Sequence, residues 1–241
     1  MYKYLKLEDF NKYIDTNEYN KAYNKAYNKI INDSFKLIYE ILKKKNIDIN
    51  ENILSKKDEK SFHYLIGLVE KNYISFDNII FLMECFLNLN IDPDDDIGTT
   101  NKEKLQKCIN RYNMLIDNLK KYELVDNKIK ELGYKNVLKD RINELVNLFK
   151  EMLDYKKIKY NENLDFEESI SLILKNYKDY QDILTNLLSV INTNIVYRDL
   201  SSNDIFKIKT TKTENIIYID NVYNLLTHEI IGYKNNDENL N

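Results

Sequence analysis

The chain has 241 residues, 43% of them apolar and 31% charged, which is ordinary for a folded domain and enough to bury a sizeable core. A net charge of −3 with both signs interspersed excludes an overall basic field of the kind that advertises nucleic acid. Only Arg111, Arg141 and Arg198 are Arg among 36 basic residues, against 35 Asn and 20 Tyr; AT-rich codons encode that bias, so it reads as the background of a low-GC genome, bacterial or viral.

The first residues, Met1-Tyr-Lys-Tyr-Leu-Lys, lack the apolar core of a signal peptide. Asp15 and Glu18 have the spacing of a capping box and open a helix. That helix carries Tyr19, Tyr23 and Tyr27 at a four-residue pitch, then Ile31, Phe35, Ile38 and Leu42. The Tyr stripe is read as an amphipathic core face; with no Arg nearby, a base-stacking platform is the lesser reading. Ser55 and Asp58 open a second helix with Phe62, Leu65, Ile66 and Val69 inward. Residues 76–90 are apolar on nearly all sides and predict a central helix too short to span a bilayer.

Residues 101–121 form the next helix, and Gly133 suits a helix C-terminus with positive φ. Leu138, Ile142, Leu145, Phe149 and Met152 mark another. Residues 156–163 are the best internal linker, Asp165 with Glu168 caps the helix after it, and Asp179 starts the helix running to Ile191. After Asn194 the texture turns β-branched: 195–197, 205–208 and 216–219 predict short strands, with Asp220 capping a last short helix, 221–231, and a polar tail beyond it. The expected fold is all-α, a bundle of about seven helices over 1–193. Residues 194–241 add a small β-containing segment and a terminal helix packed on the bundle, possible as part of one single domain.

Few patterns here carry chemistry. Asp92, Asp94, Asp96 and Glu103 match positions 1, 3, 5 and 12 of an EF-hand loop, whose oxygens converge on calcium. Ile97 stands where that loop needs Gly, and Thr100-x-x-Glu103 is a capping box for the next helix, so a solvated loop is the preferred reading. Cys85 and Cys108 sit in apolar helical patterns with no second thiol near either, which points to a reducing compartment. The four Gly are isolated, which excludes a Gly-rich phosphate loop. Two histidines, His63 and His228, cannot build a multi-histidine metal site in one chain.

Tyr223-Asn224-Leu-Leu-Thr-His228 lies on a late helix. It resembles the Arg-Asn-x-x-x-His motif of the HEPN superfamily, helical proteins common in toxin–antitoxin and defence systems. The resemblance covers six residues. It implies an RNA-directed protein in which Arg and His from two protomers cleave RNA without metal. Asn224 and His228 fill the Asn and His places, while Tyr223 stands where Arg should be. Without that guanidinium the motif lacks its phosphate contact, so the resemblance implies an inactive relative. The expectation is a cytoplasmic, non-catalytic interaction or regulatory protein of a phage, plasmid or defence locus. It needs no cofactor and takes a protein partner or a second copy of itself, with no membrane role. An RNA-directed HEPN-like protein and a calcium-binding helical protein stand as alternatives.

Overall fold

The computed structural model describes residues 3–10, 19–50, 52, 59–73, 101–201 and 204–238. Among these, 80% are helical, in seven α-helices, with a two-stranded antiparallel sheet near the C-terminus. A 3-10 turn, Leu7–Phe10, precedes α1 (Tyr19–Lys44) and α2 (Glu59–Asn72). Then follow α3 (Asn101–Leu132), α4 (Tyr134–Tyr155), α5 (Phe166–Asn176) and α6 (Gln181–Thr193). Strands β1 (Ile195–Ser201) and β2 (Asp204–Lys209) lead into α7 (Lys212–Glu238). The capping box expected at Asp15, the helix start expected at Ser55 and Asp58, the helix over 76–90 and Cys85 lie outside the described residues.

Local chemistry explains most boundaries. Asp165 caps α5 by accepting from the Glu168 N–H at 2.8 Å. Gly133 takes φ 82°, and its N–H reaches the Ile129 carbonyl at 2.9 Å, closing α3 as it opens α4. Helix α3 runs eleven residues past the expected end at 121. Asp179 lies in a 3-10 turn, Lys178–Tyr180, just ahead of α6.

The strand expected over 216–219 and the short helix expected from 221 are both corrected: they are one 27-residue helix. Ile216, Ile217, Ile219 and Val222 are buried along it, and burial of that stripe overrides β propensity. Its cap is Thr211, not Asp220. The Glu214 N–H donates to the Thr211 hydroxyl at 3.2 Å, and the Thr211 N–H donates to the Glu214 carboxylate at 2.8 Å.

The chain divides into two compact units, Met1–Lys121 and Tyr122–Asn241. Each unit turns the chain at the end of its first long helix by the same device. The Ile47 N–H bonds the Leu42 carbonyl and that of Asn46 the Lys43 carbonyl; Ile158 does so to Leu153 and Lys157 to Asp154. Asn46 and Lys157 both take the left-handed conformation, φ 54° and 56°. Lys45 then donates to the Asn72 carbonyl, its ammonium 4.3 Å from the Tyr73 ring centre. Lys156 donates to the Asn176 carbonyl at 2.7 Å, 3.8 Å from the Tyr177 ring centre. The Tyr73 hydroxyl donates to the Ile41 carbonyl, and that of Tyr177 to the Met152 carbonyl. Asn72 and Asn176 each donate to the carbonyl four residues back, at 2.7 Å.

So many matched bonds mark an internal duplication, and the sequence follows it. Asn50-Glu-Asn52 recurs at Asn161-Glu-Asn163, Lys71-Asn-Tyr73 at Lys175-Asn-Tyr177, Thr99-Thr100 at Thr210-Thr211 and Tyr112-Asn-Met-Leu115 at Tyr223-Asn-Leu-Leu226. The spacing between copies is 111 residues, falls to 104 at Lys71 and returns to 111 at Thr99. The second change falls between Tyr177 and Thr210, the stretch that holds α6 and the hairpin.

Candidate functional site

The residues singled out by the HEPN-like pattern lie in the middle of α7. Tyr223 is half-buried, while Asn224 and His228 are exposed; spaced by four, these two share one face of the helix. Leu225 and Ile231 are exposed beside them. The inward side of α7 carries Val222, Leu226 and Ile230, all buried. The Thr227 hydroxyl is turned onto its own helix, donating to the Tyr223 carbonyl at 2.8 Å.

A guanidinium does sit against α7, though not within the motif. Arg141 of α4 donates to Glu144 at 2.7 Å and holds Nε 2.9 Å from the Asp220 carboxylate. Burial works against its charge, yet the Glu144 hydrogen bond and the Asp220 and Glu144 charges outweigh it and raise its pKa. Two carboxylates thus engage the group that a phosphate would need. Periodicity could not have shown this pairing, because 79 residues separate Arg141 from Asp220.

At its N-terminus α7 is tied into a buried polar knot. Asn215, 1% exposed, donates to the Tyr134 hydroxyl at 3.0 Å and to the Asn194 side chain, and accepts from Thr210. Asn194 is left-handed at φ 54°, and its carbonyl accepts from the Thr210 N–H at 2.8 Å. The Tyr122 hydroxyl lies 3.1 Å from that of Thr211, and Thr213 donates to Asp126 at 3.2 Å. Burial, with the charges of Glu214 and Asp126, pushes the Tyr122 pKa up to about 12 against the lowering bonds from Thr211 and Thr213. The phenol is therefore neutral at physiological pH, a hydrogen-bonding strut and not a base.

Of the calcium-loop candidates, Glu103 is exposed in the first turn of α3, and Asp92, Asp94 and Asp96 lie outside the described residues. Among the described residues no group of three His, Cys, Asp or Glu is placed to hold a metal ion. His63 is half-buried on α2 and Cys108 is buried in α3. No helix of the described residues is long and apolar enough to cross a membrane.

A different use of asparagine was missed from sequence. In the first unit Asn113 accepts from the Leu5 N–H and donates to the Leu5 carbonyl, both at 2.9 Å. In the second, Asn186 does the same to Tyr197 of β1, both at 3.2 Å. Each carboxamide meets both the N–H and the carbonyl of one residue, as a neighbouring strand would. The signal was available: Asn113 stands in Tyr-Asn-Met-Leu, the first copy of the pattern around Asn224. Comparison with protein-family models, curated proteins and solved structures yields no match.

Proposed function

We propose that the chain is a non-catalytic helical interaction protein built from two tandem copies of one module. One observation carries this reading: the copies share the parts that turn and hold the chain, and differ where a reaction would need them constant. The Lys–Asn–Tyr clamp is repeated bond for bond. His228 has Asp117 as its counterpart, and Asn113, the counterpart of Asn224, is spent on the backbone of Leu5. An asparagine that grips both backbone groups of one residue is a binding device.

The RNA-directed alternative requires a positive group beside Asn224 and His228. Tyr223 supplies one hydroxyl and no charge where Arg would offer five donors. Loss of such a contact costs about 10²–10³ in rate, by analogy with oxyanion-hole deletions. The purified protein is therefore expected to leave single-stranded RNA intact in EDTA. Cleavage that resists EDTA and disappears in His228→Ala would overturn the reading and make the motif a working one.

A further inference from the structure

In the first unit the grip on Leu5 is one part of a longer seat. The Tyr4 hydroxyl donates to Asp117, and the Lys120 ammonium lies 3.8 Å from the Tyr4 ring centre. Leu5 and Phe10 are buried in the same unit. Positions 113, 117 and 120 fall on one stripe of α3, at i, i+4 and i+7, and that stripe holds Tyr4 and Leu5 of the N-terminal arm.

The same stripe recurs 111 residues on as Asn224, His228 and Ile231. All three are exposed, with Leu225 beside them at 40% and Ile231 at 49%. No terminal arm precedes the second unit's first helix; the chain there is the end of α3. Tyr122 and Asp126 of that segment meet Thr211 and Thr213, at the start of α7 and about three turns before Asn224. We infer that the Asn224–His228–Ile231 stripe is a docking site for an extended segment of a partner polypeptide, held through one residue's N–H and carbonyl by the Asn224 carboxamide.

The differences between the stripes define the ligand. Where Tyr4 meets a carboxylate and an ammonium, the incoming residue meets the His228 imidazole and the Ile231 side chain. An aromatic residue followed by an aliphatic one fits that lining, the aromatic against Ile231 and the aliphatic at the gripped position. A second copy of the chain is not the donor, because its own Tyr4-Leu5 already fills its first unit. This inference rests on the interaction reading above and names the class of partner.

The probe is a synthetic peptide of residues 1–10, Met-Tyr-Lys-Tyr-Leu-Lys-Leu-Glu-Asp-Phe, labelled at its C-terminus and titrated with the full chain by fluorescence anisotropy. Saturable binding is expected. Asn224→Ala should weaken it about tenfold, the loss of two backbone hydrogen bonds. Ile231→Asp should weaken it too, while Asn143→Ala, an exposed asparagine on α4, should not. Unchanged circular dichroism confirms that the variants fold. Absence of binding by the natural chain, or equal affinity in Asn224→Ala, would overturn the inference. So would a dimer seen by sedimentation that Asn224→Ala abolishes, since a second copy would then occupy the stripe. EDTA-resistant ribonuclease activity would instead remove the functional reading and leave this titration standing.

Discussion

At the end of its first long helix each unit reverses the chain by the same bonds, whereas along its last helix the two copies carry different residues at equivalent places. The reversal at Lys45 and Lys156 satisfies carbonyls that any helix C-terminus leaves open, so the requirement is the same in both places. The start of the last helix also leaves N–H groups open, and both copies carry Thr and Glu at capping-box spacing, Thr100 with Glu103 and Thr211 with Glu214, but the side chains around the box differ. In the second unit Glu214 is fully buried and its carboxylate accepts from the Thr211 N–H, whereas its counterpart Glu103 is exposed. Lys104 stands where Asn215 would be, and Arg111, itself buried, where the second copy has Val222. A duplicated module keeps what backbone chemistry requires and varies what side chains alone decide.

The strongest way to break this comparison is to remove the clamp tyrosines one at a time. Tyr73→Ala and Tyr177→Ala each delete an aromatic that is at most 5% exposed, at an expected cost of about 3–5 kcal/mol. Hydrogen exchange should show protection lost mainly in the unit that carries the change. If one substitution were silent, the two clamps would not be equivalent.

A smaller effect sharpens the difference between the units. The folded-state pKa of Tyr122 is raised to about 12 from 10, so burial keeps its phenol neutral in a range where the unfolded chain ionises. The stability this contributes is fully present below pH 10 and is lost as pH rises toward 12. The change amounts to about 2–3 kcal/mol at two pKa steps of roughly 1.4 kcal/mol each. Denaturant melts in that window should show Tyr122→Phe holding its stability better than the natural chain.

The smallest effect lies in the turn itself. Asn46 accepts φ 54° readily, whereas Lys157 at φ 56° carries the cost of a long side chain in the left-handed region. Lys157→Gly is expected to stabilise by about 0.5–1 kcal/mol and Asn46→Lys to destabilise by a similar amount, both read from urea midpoints. Opposite signs at equivalent positions would confirm that one geometry is met by two residues of unequal fitness.

Much of the helical framework was legible because its causes are local. The Asp165 cap, the left-handed Gly133 and the apolar series of α5 and α6 each sit within a few residues of the structure they dictate. The strand expected at 216–219 failed because Ile and Val read alike in a strand and on a buried helix face, and the Thr211–Glu214 cap decides between them. The duplication stayed hidden for another reason. Its most faithful residues are Lys, Asn and Tyr, which the composition invites one to discount as codon background, and its spacing shifts between 111 and 104. At the candidate site, Asn224 and His228 stood out on sequence by a six-residue pattern. What Asn113 does at the equivalent place depends on a partner 108 residues away, and no local pattern reports that.

The hairpin has a consequence for self-association. A two-stranded ribbon has two open edges, and each unpaired strand edge is a template for another chain. Asn186 occupies the outer edge of β1 at Tyr197, donating and accepting where a neighbouring strand would. Among the described side chains of β2, Lys207 and Lys209 are exposed, charges that disfavour stacking of one β2 edge on another. The hairpin of the second copy thus leaves little for cross-β growth to begin on.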